Sequence, residues 1–187
     1  MPSVYYDLPF GEQLVLWGLR MWVKAFTQDA NISEILREGF RLAGVIDAFG
    51  FLDSIMYVFA TVGRGVLDIR CPSCSEISID EQRILGAIAV YQNGDSCVNS
   101  DPYLRYWLRP AALRIIQEPT IKLANALKKG NLIIRPRPWT LTSSVESSGV
   151  SADTSDNHTI HYTIKIFYAH VQLEKYWPRS LYLKIVT

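Results

Sequence analysis

FGEQLVLWGLRMWVKAFT, residues 10–27, is the stretch whose reading decides the fold. Phe10, Leu14, Trp17, Met21 and Ala25 recur at helical spacing. Val15, Leu16, Leu19, Trp22, Val23 and Phe26 widen that stripe until Gln13, Arg20, Lys24 and Thr27 are left as a narrow polar face. A helix this apolar belongs at the centre of a bundle or at an interface. Trp17 and Trp22 are therefore candidates for capturing a partner or a second copy of the chain.

Downstream, the helical period persists to about residue 130. A second helix is expected with Asn31 or Ser33 as N-cap, presenting Ile32, Ile35, Leu36, Gly39, Leu42, Ala43, Ile46 and Phe49 on one face, opposite Glu34, Arg37, Glu38 and Arg41. Gly50 is read as a break. A third helix then turns Leu52, Ile55, Met56, Phe59 and Val62 inward and Asp53, Tyr57, Thr61 and Arg64 outward, until Gly63 and Gly65 weaken it. Ser78 and Glu81 have the spacing of a capping box, and the helix they open ends at Asn93-Gly94. Pro102 suits the first turn of a short helix through Leu108, and Pro110 that of a longer one capped by Gly130, with a kink or boundary expected at Pro119.

Arg135-Pro136-Arg137-Pro138 is incompatible with helix and marks the edge of a helical domain, residues 1–139. Ser, Thr and Asp dominate residues 140–158, as in a flexible linker. The period then changes to alternation, with Ile160, Tyr162, Ile164, Ile166 and Tyr168 on one side of a first strand and Leu181–Val186 as a second. The expected fold is all-α, a bundle of five or six helices, followed by a β-hairpin appendage over residues 159–187. A lone hairpin is marginal in water, so this piece would dock or pair.

The 187 residues are 49% hydrophobic and 20% charged, with mean hydropathy of +0.07, enough for a sizeable core and for some apolar surface that meets another chain. No signal peptide is evident. Asp47, Asp53 and Arg64 divide the apolar region Leu42–Leu67 too finely for a membrane span, so no transmembrane segment is expected. Three cysteines without an export signal are expected to be reduced thiols in a cytoplasmic protein.

Cys71-Pro72-Ser73-Cys74 could hold a metal or exchange thiols, but a structural zinc needs further ligands, and in this sequence only Cys97 remains near. The histidines His158, His161 and His170 lie beyond the linker. Asp47 and Asp53 are read as solvating helix ends, and no nucleophile elbow, P-loop, zinc-protease or dinucleotide-binding motif occurs. Catalysis is disfavoured, and no cofactor or metal is expected.

The strongest lead is charge. Residues 1–102 carry seven Lys/Arg against thirteen Asp/Glu, whereas residues 103–139 carry eight against Glu118 alone. Arg105, Arg109 and Arg114 interleave with Tyr103, Tyr106 and Trp107, and Lys122, Lys128, Lys129, Arg135 and Arg137 extend the positive run. The expected function is a non-catalytic interaction or adaptor protein that binds a protein partner or self-associates. Weak nucleic-acid binding through residues 103–137 is the alternative, and a thiol or zinc site at Cys71 and Cys74 stands third. The basic run is expected to pack against the acidic first four helices with part of its charge left on the surface.

Overall fold

The computed structural model describes residues 4–28, 32–94 and 101–136. The expected linker and hairpin, along with Cys97 and Arg137, lie outside the described residues. Those described form a 3-10 turn (Tyr5–Asp7) and six α-helices with no β-strand: α1 Phe10–Gln28, α2 Ile32–Leu42, α3 Ile46–Val62, α4 Ile79–Gln92, α5 Asp101–Leu104 and α6 Pro110–Lys129. No helix among them is long and apolar enough to cross a membrane.

α1 is the central helix, in contact with α2, α3 and α4. Trp17 is 1% exposed and tilts against Phe40 of α2, and Gly18 lets the Phe40 and Leu52 side chains approach its backbone to within 3.0–3.1 Å of where a Cβ would stand. Gln13, Arg20 and Lys24 of the polar face read from the sequence are buried too. Gln13 donates from Nε2 to the carbonyls of Leu8 (2.8 Å) and Tyr6 (3.1 Å), and Tyr5 Oη donates to the Gln13 carbonyl (3.0 Å). Burial pushes the Tyr5 phenol pKa up, opposed by the Arg20 charge nearby.

Arg20, 1% exposed, is the pivot of a polar knot. Its Nε and Nη2 donate to Glu81 at 2.7 and 3.0 Å, and its Nη atoms also donate to the carbonyls of Cys74 (2.6 Å) and Glu76 (2.8 Å). Glu81, wholly buried, also accepts from the backbone N–H of Ser78 and Arg70. The expected capping box of α4 is therefore present, and one of its members pairs with the central helix. The loop 67–77 between α3 and α4 is held down by these bonds, and Tyr5 N donates to the Ser75 carbonyl beside them (2.7 Å). Within the loop Cys71 and Cys74 are joined as a disulfide, where free thiols were expected. The tight turn from Cys71 to Cys74, closed by a 3.0 Å backbone hydrogen bond, brings their sulfurs together.

Two boundaries differ from the sequence reading. α2 stops at Leu42, because Gly44 takes φ of 74° and the Gly44 and Val45 amides bond back to Arg41 (3.0 Å) and Phe40 (2.9 Å). This left-handed cap is one that glycine adopts at little steric cost. Gly50, read as the break, lies inside α3 on its exposed side with nothing within 4 Å of its Cβ position. α6 likewise runs unbroken through Pro119. The carbonyl that the proline leaves without its helical donor is that of Ile115, a residue 60% exposed and so within reach of water.

α6 packs on α3 and α4 through Ala112, Ile116, Leu123 and Leu127. Its end repeats the device of α2: Asn131, at φ of 57°, closes on Lys128, and Leu132 on Leu127. Residues 132–136 then leave the helix as a strap. Ile134 N donates to Gln92 Oε1 (2.7 Å), Gln92 Nε2 donates to the Leu132 carbonyl (2.9 Å), and Arg135 N donates to Glu12 Oε1 (2.9 Å).

Candidate interaction surface

Between α5 and α6 the chain makes a tight turn, closed by hydrogen bonds from the Trp107 and Leu108 amides to the Leu104 carbonyl (both 3.1 Å). The turn is anchored inward by Trp107, 1% exposed, whose ring meets Phe59 edge-on at 5.9 Å. Tyr103, 9% exposed, lies so close to Gly86 of α4 that a Cβ there would collide with its ring. With both aromatics turned in, Arg105, Tyr106 and Arg109 are left on the outside. Arg83 spans the gap: its guanidinium sits 5.1 Å from the Tyr106 ring centre and 5.5 Å from that of Trp107, and it pairs with Asp80 at 3.5 Å. Burial raises the Asp80 carboxyl pKa, opposed by the Asp68 amide that donates to it.

Along α6 the outer stripe reads Arg114, Glu118, Lys122, Asn125 and Lys129, each one turn from the next and all exposed. Glu118 and Lys122 pair at 2.7 Å, and that bond holds the Glu118 carboxyl below its ordinary pKa. Lys128 is turned aside to donate to the Gln92 carbonyl (2.7 Å). Five ion pairs lie among the described residues: Arg20–Glu81, Arg41–Glu38, Arg70–Asp68, Arg83–Asp80 and Lys122–Glu118. None joins the basic segment to the acidic helices, although α6 packs on α3 and α4, and Arg105, Arg109, Arg114 and Lys129 are left on the surface. Each acid instead takes a cation from its own neighbourhood or, for Glu81, from α1. Arg105, Arg109, Arg114 and Lys129 enter none of the pairs.

The sequence candidates thus divide. Trp17, Trp22 and Tyr103 are core; Trp22 stacks on Phe26 at 5.0 Å and donates from Nε1 to Asp53 (2.7 Å). Trp17 and Trp22 are thus covered inside the bundle, the first of the two places expected for this helix, whereas Phe26 at the end of the same face is exposed. Arg105, Tyr106, Arg109, Arg114, Lys129 and Arg135 are exposed. The turn brings Arg105, Tyr106 and Arg109 together, whereas Lys129 and Arg135 lie toward the other end of α6, a helix about 30 Å long. Near that end a shallow groove of about 530 Å³ runs between Gly44–Asp47 and Lys122, Asn125 and Lys129, with charges of both signs. Asp47 lies in that groove and Asp53 bonds Trp22, so the two carboxylates serve separate places.

The reading of the sequence missed a pit of about 50 Å³ behind the turn, lined by Phe26, Met56, Phe59, Gly63–Gly65, Leu67 and Trp107 among others. Its signal was present as Gly63 and Gly65, which end α3 and leave its last turn uncovered beside Trp107. Arg64 N donates to the Trp107 carbonyl (2.8 Å), which fixes the 63–67 segment against the turn. Among the described residues no group of three His, Cys, Asp or Glu side chains is placed to hold a metal ion. No family model, curated protein or solved structure matches this chain.

Proposed function

We propose that this chain is a non-catalytic binding protein that docks an acidic protein partner on the basic surface running from Arg105 to Lys129. The observation that carries the reading is the exposure of Arg105, Arg109, Arg114 and Lys129 without an acid partner among the described residues. Exposed cations attract and orient an anionic surface at long range. A protein is favoured over nucleic acid because Tyr106 is the exposed aromatic of the turn and Arg83 already faces its ring, so no row of free rings offers itself for base stacking. Glu118 and the exposed Ile115 also interrupt the positive stripe, giving a mixed surface. A non-catalytic role is supported by the buried polar side chains Arg20, Glu81 and Gln92, whose hydrogen bonds hold the fold together.

Fluorescence anisotropy with labelled acidic peptides and with duplex and single-stranded oligonucleotides, at two salt concentrations, tests the reading. The acidic peptides are expected to bind, and the double variant Arg105→Glu with Arg109→Glu to lose them while remaining folded by circular dichroism. Tight oligonucleotide binding near physiological salt, with a log-log salt slope of roughly −4 for about five neutralised phosphates, would make nucleic acid the partner. Salt-sensitive self-association, read by light scattering, would make the acidic helices of a second copy the partner.

A further inference from the structure

We propose that the pit behind the α5–α6 turn receives one leucine-sized apolar side chain of an acidic partner segment, whose carboxylates reach Arg64, Arg105 and Arg109. This inference rests on the reading of the chain as a binder of an acidic protein and specifies what that partner presents. The pit is apolar, walled by Phe26, Met56, Phe59, Leu67 and Trp107. Its volume of about 50 Å³ exceeds the roughly 10–15 Å³ that one water needs, so it takes several heavy atoms. Phe26 at its edge is 58% exposed, an aromatic left at the surface where α1 ends.

Two further observations point outward from the fold. The Trp107 indole N–H is buried and has no hydrogen-bond acceptor, although nearly all such groups in folded proteins have one. The pit is lined by the same side chain, so an occupant would change the surroundings of this N–H. Three exposed cations lie on the chain beside the pit: Arg64, which lines it in the segment bonded to the Trp107 carbonyl, and Arg105 and Arg109, two residues to either side of Trp107. None of the three enters an ion pair among the described residues. An apolar anchor surrounded by complementary charge is the usual plan of a small recognition site.

The test uses the full chain and short fluorescein-labelled peptides of Asp and Glu, one with a central leucine and one with alanine in its place. The leucine peptide is expected to bind at least about tenfold more tightly, the discrimination a pocket makes between side chains differing by a few methylenes. Charge reversal at Arg105 and Arg109 should weaken both peptides alike. Ala60→Leu, which fills the pit from its α3 wall, should remove the leucine advantage and leave the charge-driven part. On the wild-type protein, the Trp107 indole N–H resonance should shift with the leucine peptide and stay in place with the alanine one, independently of how the variant folds. Equal binding of the two peptides overturns the pit while leaving the basic surface standing. Binding of neither peptide overturns the pit and the acidic-partner reading together.

Discussion

Arg20 was legible as a polar residue on an apolar helix, and its period placed it on a narrow polar face with Gln13, Lys24 and Thr27. Periodicity reports which residues on a helix differ from their neighbours. It carries nothing about a partner that arrives from 61 positions away, and Glu81 does so. Both side chains are wholly buried, so the pair lives on its hydrogen bonds: four from Arg20, and four into Glu81 counting the Ser78 and Arg70 amides. Removing one member of such a pair strands the other as an uncompensated charge, which costs about 3–5 kcal/mol. Arg20→Ala should therefore lower the unfolding free energy by roughly that amount in urea titrations. Glu81→Ala should do at least as much damage, because the side-chain half of the α4 capping box goes with it. Glu38→Ala, which removes an exposed pair with Arg41, should leave the urea midpoint nearly where it was. A small effect of Arg20→Ala would mean that water enters the knot and that loop 67–77 is not held by it.

The helices themselves were read well wherever one face is apolar, and less well at their ends. α2 through α3 looked like one stripe from Ile32 to Phe49, since a left-handed cap changes direction without changing the frequency of apolar residues. Two glycines were available for the break, and the choice between them depends on φ, which composition does not encode. Gly44 and Gly50 therefore test the boundary against each other. Gly44→Ala places a Cβ in a left-handed conformation and should destabilise by about 1 kcal/mol. Gly50→Ala, on the open side of a helix interior, should stabilise by roughly 0.5–1 kcal/mol. Thermal melts of the two variants with opposite shifts place the boundary at Gly44; the reverse pattern would restore the break to Gly50. The unbroken α6 has the same physical origin, for a proline costs least where the carbonyl it frees can turn to water. Of the candidate site, the exposed cations were legible from charge and spacing, whereas the pit was not: its walls come from α1, α3, the 63–67 segment and Trp107, which only packing brings together.

At the level of the whole chain, a sequence edge and a packing edge do not coincide. The prolines at 136 and 138 mark where helix becomes impossible, yet the strap just before them is part of the core: Ile134 is 0% exposed and Gln92 spends its side chain on Leu132 and Ile134. The strap also reaches Glu12 at the start of α1, closing the bundle by tying its last described segment to its first helix. A chain ending after Asn131 should lose the burial of Ile134, about 1.5–3 kcal/mol, and take from the Gln92 amide its bonds to Leu132 and Ile134, leaving the Oε1 without its donor, about 1–3 kcal/mol more. For a domain of this size each kcal/mol moves the midpoint by about 2–4 °C, so that truncation should melt on the order of 10 °C below the full chain. A chain ending after Trp139 keeps the strap and should melt within a few degrees of the full chain. Differential scanning calorimetry of the three proteins decides between two accounts of the molecule. If the shorter cut alone is destabilised, the helical domain is closed by its strap and residues 140–187 are dispensable for folding. Equal loss in both truncations would show that residues beyond 139 cover part of the helices, and the domain edge would move toward the C-terminus.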